Sequence, residues 1–157
     1  MTRIARNPSV LGWAMLLLLP LRAAAQEPSA PLPDHAAFAV RLIEATHAAA
    51  PSVDPRLQDM TRELQSFQKF NKFAIVGESV LQLANGARGT VKLPDGREFA
   101  IQLLGFTPGK LQRARHVVEL PGMKMTRAVA PGGRTLDVVP GQDKLTIIST
   151  LVSVPPR

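Results

Sequence analysis

The chain has 157 residues, 19 Lys and Arg against 12 Asp and Glu for a formal charge of +7, and no cysteine. That last absence excludes a thiol nucleophile, a cysteine zinc cluster, a dithiol redox pair and a thiolate-ligated haem. It also removes disulfides as a source of stability.

In chain order, Arg3 and Arg6 precede an apolar run from Val10 to Leu21, followed by the small residues Ala23, Ala24 and Ala25. A positive start, an apolar core and small residues at a cleavage position form the order of a secretory signal. Residues 1–25 are therefore read as a signal cut near Ala25, before Gln26. The apolar run, about 12 residues, falls short of the roughly 20 that cross a bilayer as a helix, so no transmembrane segment is expected in the mature chain. Paired arginines for the twin-arginine route are missing, as is a cysteine to carry a lipid anchor. The expectation is a periplasmic or extracellular protein whose mature length suits one domain.

Losing Arg3, Arg6 and Arg22 with the signal takes the formal charge from +7 to +4, and the remaining basic excess falls in residues 88–157. Gln26–Pro33 holds Pro28, Pro31 and Pro33 and reads as a flexible leader. Asp34 then suits a helix cap, and Phe38, Leu42 and Ala45 fall on one helical stripe, predicting a helix to about Ala49 before Pro51. Asp54-Pro55 is a second cap-and-start signal, with Leu57, Met60, Leu64 and Phe67 at helical spacing. Residues 34–69 are thus expected to be an N-terminal helical pair packed on a β domain spanning 70–157.

The pattern changes to alternation after that. Phe73–Val76 and Val80–Leu83 read as short strands separated by Gly77 and Glu78, and Asn85-Gly86 as a hairpin turn. Thr90–Leu93 and Arg97–Leu104 flank the turn Pro94-Asp95-Gly96, with Phe99, Ile101 and Leu103 on one face. Leu111–Leu120 is extended, but its alternation is blurred, which suggests a bulge or an edge strand open to a partner protein. Met123–Val129, Leu136–Val138 and Leu145–Val154 follow, separated by Pro131-Gly132-Gly133 and Gly141–Asp143. The whole predicts a mainly β chain with N-terminal helices (α+β), an antiparallel β-sandwich or partly open barrel of about eight strands preceded by two helices.

No motif carries a reaction. His35 and His47 lie 12 apart, about a third of a turn out of phase on a helix, which is not a helical metal pair. Gly77-Glu78-Ser79 lacks the spacing of a nucleophile elbow, and Gly86 and Gly89 lack that of a phosphate loop. Asp34 and Asp54 suit caps, and Asp95 and Asp143 suit turns. What remains is a basic surface. Arg113, Arg115, Lys124 and Arg127, with His116 among them, are the candidate ligand-binding residues, facing an anionic polymer, lipid headgroup or acidic protein. The mature chain lacks Trp and Tyr for base stacking, so nucleic acid is not an expected partner. No cofactor or metal is expected.

Phe70-Asn71-Lys72-Phe73, Leu81-Gln82-Leu83-Ala84-Asn85-Gly86 and Val91-Lys92-Leu93-Pro94-Asp95-Gly96-Arg97 resemble small secreted proteins of unassigned function from Gram-negative bacteria such as the myxobacteria. The similarity covers about a fifth of the chain and implies secretion, with no catalytic residue. Val129-Ala130-Pro131-Gly132-Gly133-Arg134 with Lys144-Leu145-Thr146-Ile147-Ile148 is similar to the closing strands of the outer-membrane secretin core, without a secretin's length or preceding modules. The functional expectation is an exported, non-enzymatic interaction or accessory domain of the bacterial cell envelope. The alternatives are a binder of anions or small ligands through the basic β surface, and a periplasmic hydrolase.

Overall fold

Residues 35–46 alternate Ala36, Phe38, Val40 and Leu42 on one side with Arg41, Ile43 and Ala45 on the other, and they form a strand, β1 (His35–Thr46). The structure, a computed structural model, describes residues 32–109 and 111–154. The expected signal and most of the leader lie outside the described residues.

The expected first helix is corrected to β1 for a physical reason. Phe38 and Leu42 are four apart, a spacing that fits both the helical and the strand period, and the alanines around them favour a helix. Long-range pairing decides between the two. β1 is bonded on one edge to β3 (Lys72–Ala84) and on the other to β9 (Leu145–Ser153). Such tertiary contacts override local propensity.

The second expected helix survives in shortened form. Pro55–Met60 is a 3-10 turn, Thr61–Leu64 one α-helical turn (α1) and Gln65–Phe67 a second 3-10 turn. Asp54 caps the segment by accepting the Arg56 N–H at 3.0 Å, and Leu57, Met60 and Leu64 are buried beneath it. It is preceded by a two-residue strand, β2 (Ser52–Val53), that pairs in parallel with the start of β3.

β3 is one strand of 13 residues where two were expected. Its register against β1 slips between Leu42 and Ile43, which leaves Val76 as an extra residue opposite that step. A Cβ on Gly77 would stand 3.2 Å from the Leu42 side chain. The glycine thus marks a bulge inside a strand and not its end.

At Asn85-Gly86 the chain does turn, with Gly86 at φ +83°, but the turn leads into a different sheet instead of closing a hairpin. β4 (Arg88–Lys92), β5 (Glu98–Phe106), β6 (Ala114–Leu120) and β7 (Met123–Val129) run as an antiparallel meander in the order β4-β5-β6-β7. The turn at Pro131-Gly132-Gly133 carries the chain back, and the Gly132 N–H donates to the Val152 carbonyl at 2.7 Å. β8 (Arg134–Pro140) and β9 complete a five-stranded sheet in the order β2-β3-β1-β9-β8. The stretch expected as an edge, Leu111–Leu120, contributes β6, which lies between β5 and β7. The irregularity there belongs to β5, between Leu103 and Gly105.

The two sheets share one core. Phe38, Val40, Leu42, Ile148 and Val152 from the five-stranded sheet meet Phe99, Ile101, Leu103, Val118 and Leu120 from the four-stranded one. A second core lies on the far side of the five-stranded sheet, where Ile43, Ala45, Phe73 and Ile147 are covered by Leu57, Met60 and Leu64. β1 contributes to both. Phe38 is fully buried in the first, so Phe38→Ala is expected to cost about 3–5 kcal/mol in urea unfolding, the usual range for emptying a buried phenylalanine site.

Candidate functional site

Strand parity separates the five residues singled out by charge. On β6, Ala114, His116, Val118 and Leu120 are buried while Arg115 is exposed. On β7, Lys124 pairs in register with Glu119, Ala128 with Arg115, and Arg127 with His116. His116 and Arg127 therefore belong to the face turned towards the five-stranded sheet, and Arg115 and Lys124 to the outer face. Arg113, exposed just before β6, donates its N–H to Thr107 Oγ1 at 3.0 Å. Arg113 and Arg115 are exposed while Arg127 turns inwards, so the three do not share one face.

Lys124 is engaged on that outer face. Its Nζ is 2.7 Å from Glu119 Oε1, and Arg88 Nη2 donates to Glu119 Oε2 at 2.6 Å. These bonds from Lys124 and Arg88 hold the Glu119 carboxyl below its ordinary value. Arg113 and Arg115 make no ion pair among the described residues.

Inside, Arg127 reaches across from β7 to the buried Asp137 of β8, donating Nη1 to Oδ2 at 2.9 Å and Nη2 to Oδ1. β7 and β8 are the edge strands of different sheets, so this pair ties the sheets together along one side. His116 lies nearby, fully buried and edge-on to Phe38 with ring centroids 5.1 Å apart. Its Nδ1 is 3.2 Å from the Ala114 carbonyl, an acceptor, which places the proton on Nδ1. Among the described residues Nε2 has no hydrogen-bond partner, nor do the hydroxyls of Thr135 and Thr150, which face one another across β8 and β9. Burial and then Arg127 push the His116 pKa down against the Ala114 carbonyl and Asp137, with a net fall below 6.5. A general base must come within hydrogen-bond reach of its substrate. A fully buried, neutral imidazole against a phenylalanine ring is instead a packed core side chain.

A second set of charges clamps the helical segment to the sheet. Arg41 on β1 bonds Asp59 at 3.1 Å and Glu78 at 3.3 Å, Arg56 bonds Glu78 at 3.1 Å, and Arg134 bonds Asp59 at 2.5 Å. Asp54, the cap, is lowered to about 2 chiefly by its side-chain bond to Arg56. Asp34, expected as a cap, bonds His35 at the start of β1. Among the described residues no group of three His, Cys, Asp or Glu stands together as a metal site, and no helix is long and apolar enough to cross a membrane.

The feature that sequence reading did not find is the outer edge of β3. Parallel pairing with β2 ends at Phe73, whose carbonyl accepts the Asp54 N–H at 2.9 Å. From Val76 to Ala84 no strand lies on that side among the described residues, and Val76 and Val80 are 45% and 65% exposed. Below this edge a cleft of about 360 Å3 separates β3 from β4, lined by Leu42 and Val76–Ser79 on one side and Thr90–Pro94 on the other. The side of the fold opposite the Arg127–Asp137 tie is therefore open.

No protein-family model, no curated protein and no solved structure matches the chain.

The depressed pKa of His116 has a consequence for stability. A histidine whose folded value is below its unfolded one takes up its proton first in the unfolded chain, so stability falls as pH drops below about 6.5. The lowered carboxyls lose their contribution only further down, as pH falls below about 4. Chemical denaturation between pH 7 and 5 is expected to show declining stability, and His116→Leu is expected to flatten that decline.

Proposed function

We propose that the chain is an exported, non-enzymatic interaction domain of the bacterial cell envelope, a β-sandwich that binds through the free edge of β3. The observation that carries this reading is the edge itself. A strand with no neighbour presents a row of N–H and C=O groups that another extended chain can complete, with apolar contacts alongside. Val76 and Val80 supply those contacts. Export rests on the order of charge, apolar run and small residues in Met1–Ala25.

Crosslinking in intact cells followed by recovery of the chain tests both parts. The expected result is a chain beginning at Gln26 in a periplasmic or extracellular fraction, held in one defined complex that Val80→Lys removes. Recovery of the full chain from the cytosol would contradict export, and a complex indifferent to Val80→Lys would contradict the edge.

A second reading is supported by Arg113 and Arg115, both exposed and without ion pairs among the described residues. On that reading the outer face of the four-stranded sheet binds an anionic polymer or lipid headgroup, and binding weakens with salt.

A further inference from the structure

The two sheets end in strands that differ in how they are defended. β4 carries Arg88 and Lys92, β7 carries Lys124 and Arg127, and β8 carries Arg134, Asp137 and Pro140. Charged side chains, lysine above all, and proline keep edges from pairing with other chains. Between Ile75 and Ala84 the edge of β3 has one charge, Glu78, and it is already bonded by Arg41 and Arg56. Three edges are guarded and the fourth is not.

Backbone direction along β3 follows from its upper end. The Asn85 N–H donates towards β1, to the Asp34 carbonyl, at 2.8 Å. In an antiparallel ladder, bonded residues alternate with unbonded ones. Leu83, Leu81 and Ser79 accordingly face β1, while Gln82, Val80 and Glu78 turn their N–H and C=O groups outwards. These three are symmetric about Val80. A second β3 running antiparallel, with Val80 opposite Val80, brings Glu78 opposite Gln82 and Gln82 opposite Glu78. Every outward backbone group then meets an outward group, two valines pack together, and each carboxylate meets an amide instead of a like charge. The same register sets Val76 opposite Ala84, so the pairing stops at the bulge before β2 is reached.

Taking β3 as the binding edge, we propose that its occupant is β3 of a second copy of this chain, paired antiparallel about Val80 to join two five-stranded sheets into one. The chain has no cysteine, so single-cysteine variants report this register without background. In the exported protein, Val80→Cys is expected to form a disulfide-linked dimer under mild oxidation, because directly opposed residues fall within disulfide reach. Gln82→Cys alone is expected to give no disulfide-linked dimer, since its two copies lie four residues out of register, about 14 Å apart. Sedimentation of the cysteine-free protein is expected to give twice the monomer mass, and the monomer mass with Val80→Lys. Circular dichroism checks that each variant is folded. A monomeric wild type, or Gln82→Cys crosslinking as readily as Val80→Cys, would overturn the proposal. A photo-crosslinker placed at Val80 in intact cells separates this failure from that of the broader reading. Capture of a different protein without self-capture overturns the dimer and leaves the binding edge standing, whereas no capture of either kind overturns both.

Discussion

A strand with neighbours on both edges still has two side-chain faces to cover, because successive residues point to opposite sides of a sheet. β1 meets this requirement in two ways. Its even-numbered residues, Ala36 to Leu42, are covered by the four-stranded sheet, and Ile43 and Ala45 are covered by the helical segment. The chain path follows from this double need. It builds β1 and β3 with the short cover between them, crosses at Asn85-Gly86 to lay down the meander, and returns through Pro131-Gly133 so that β9 can take the other edge of β1. Gly133 fits the return because a Cβ there would stand 2.7 Å from Val129 Cγ1.

The two open sides of this arrangement are treated unequally. Between β7 and β8, Arg127 and Asp137 form a pair buried on the aspartate side. Removing one partner of such a pair leaves an uncompensated charge, at a cost of about 3–5 kcal/mol, although the intact pair adds little net stability. It joins the two sheets and, with His116 and Thr150, puts polar groups into a mainly apolar core. Between β3 and β4 no such ion pair stands among the described residues; Leu81 and Leu83 pack over Gly89, and beside them lie a cleft and an exposed apolar edge. One side is closed by charge and the other leaves an apolar strand edge exposed.

Much of the β pattern was legible in the sequence because turns announce themselves. Pro94-Asp95-Gly96, Pro131-Gly132-Gly133 and Gly141–Asp143 each separate strands in the structure. The Asp54-Pro55 start signal was legible for the same reason, since a cap and a first-turn proline act locally. β1 was not, because Phe38 and Leu42 satisfy two periods at once and only the pairing with β3 and β9 chooses between them. The candidate site was less legible still. Charge counting joined His116 and Arg127 to Arg115 and Lys124, although parity sends the first pair inwards and the second outwards. Had β6 been read as a regular interior strand, His116 would have fallen with Ala114 and Val118. The edge of β3 carries no signal in its own residues, because whether a strand has a neighbour depends on the whole chain.

Native-state amide hydrogen exchange, followed residue by residue along β3 at several protein concentrations, tests the account most directly. If β1 holds one edge and the other is free, Ser79, Leu81 and Leu83 exchange slowly at every concentration. Glu78, Val80 and Gln82 exchange quickly when dilute and slow as the protein is concentrated. Slow exchange at Val80 in dilute solution, or fast exchange there that concentration does not change, would contradict it.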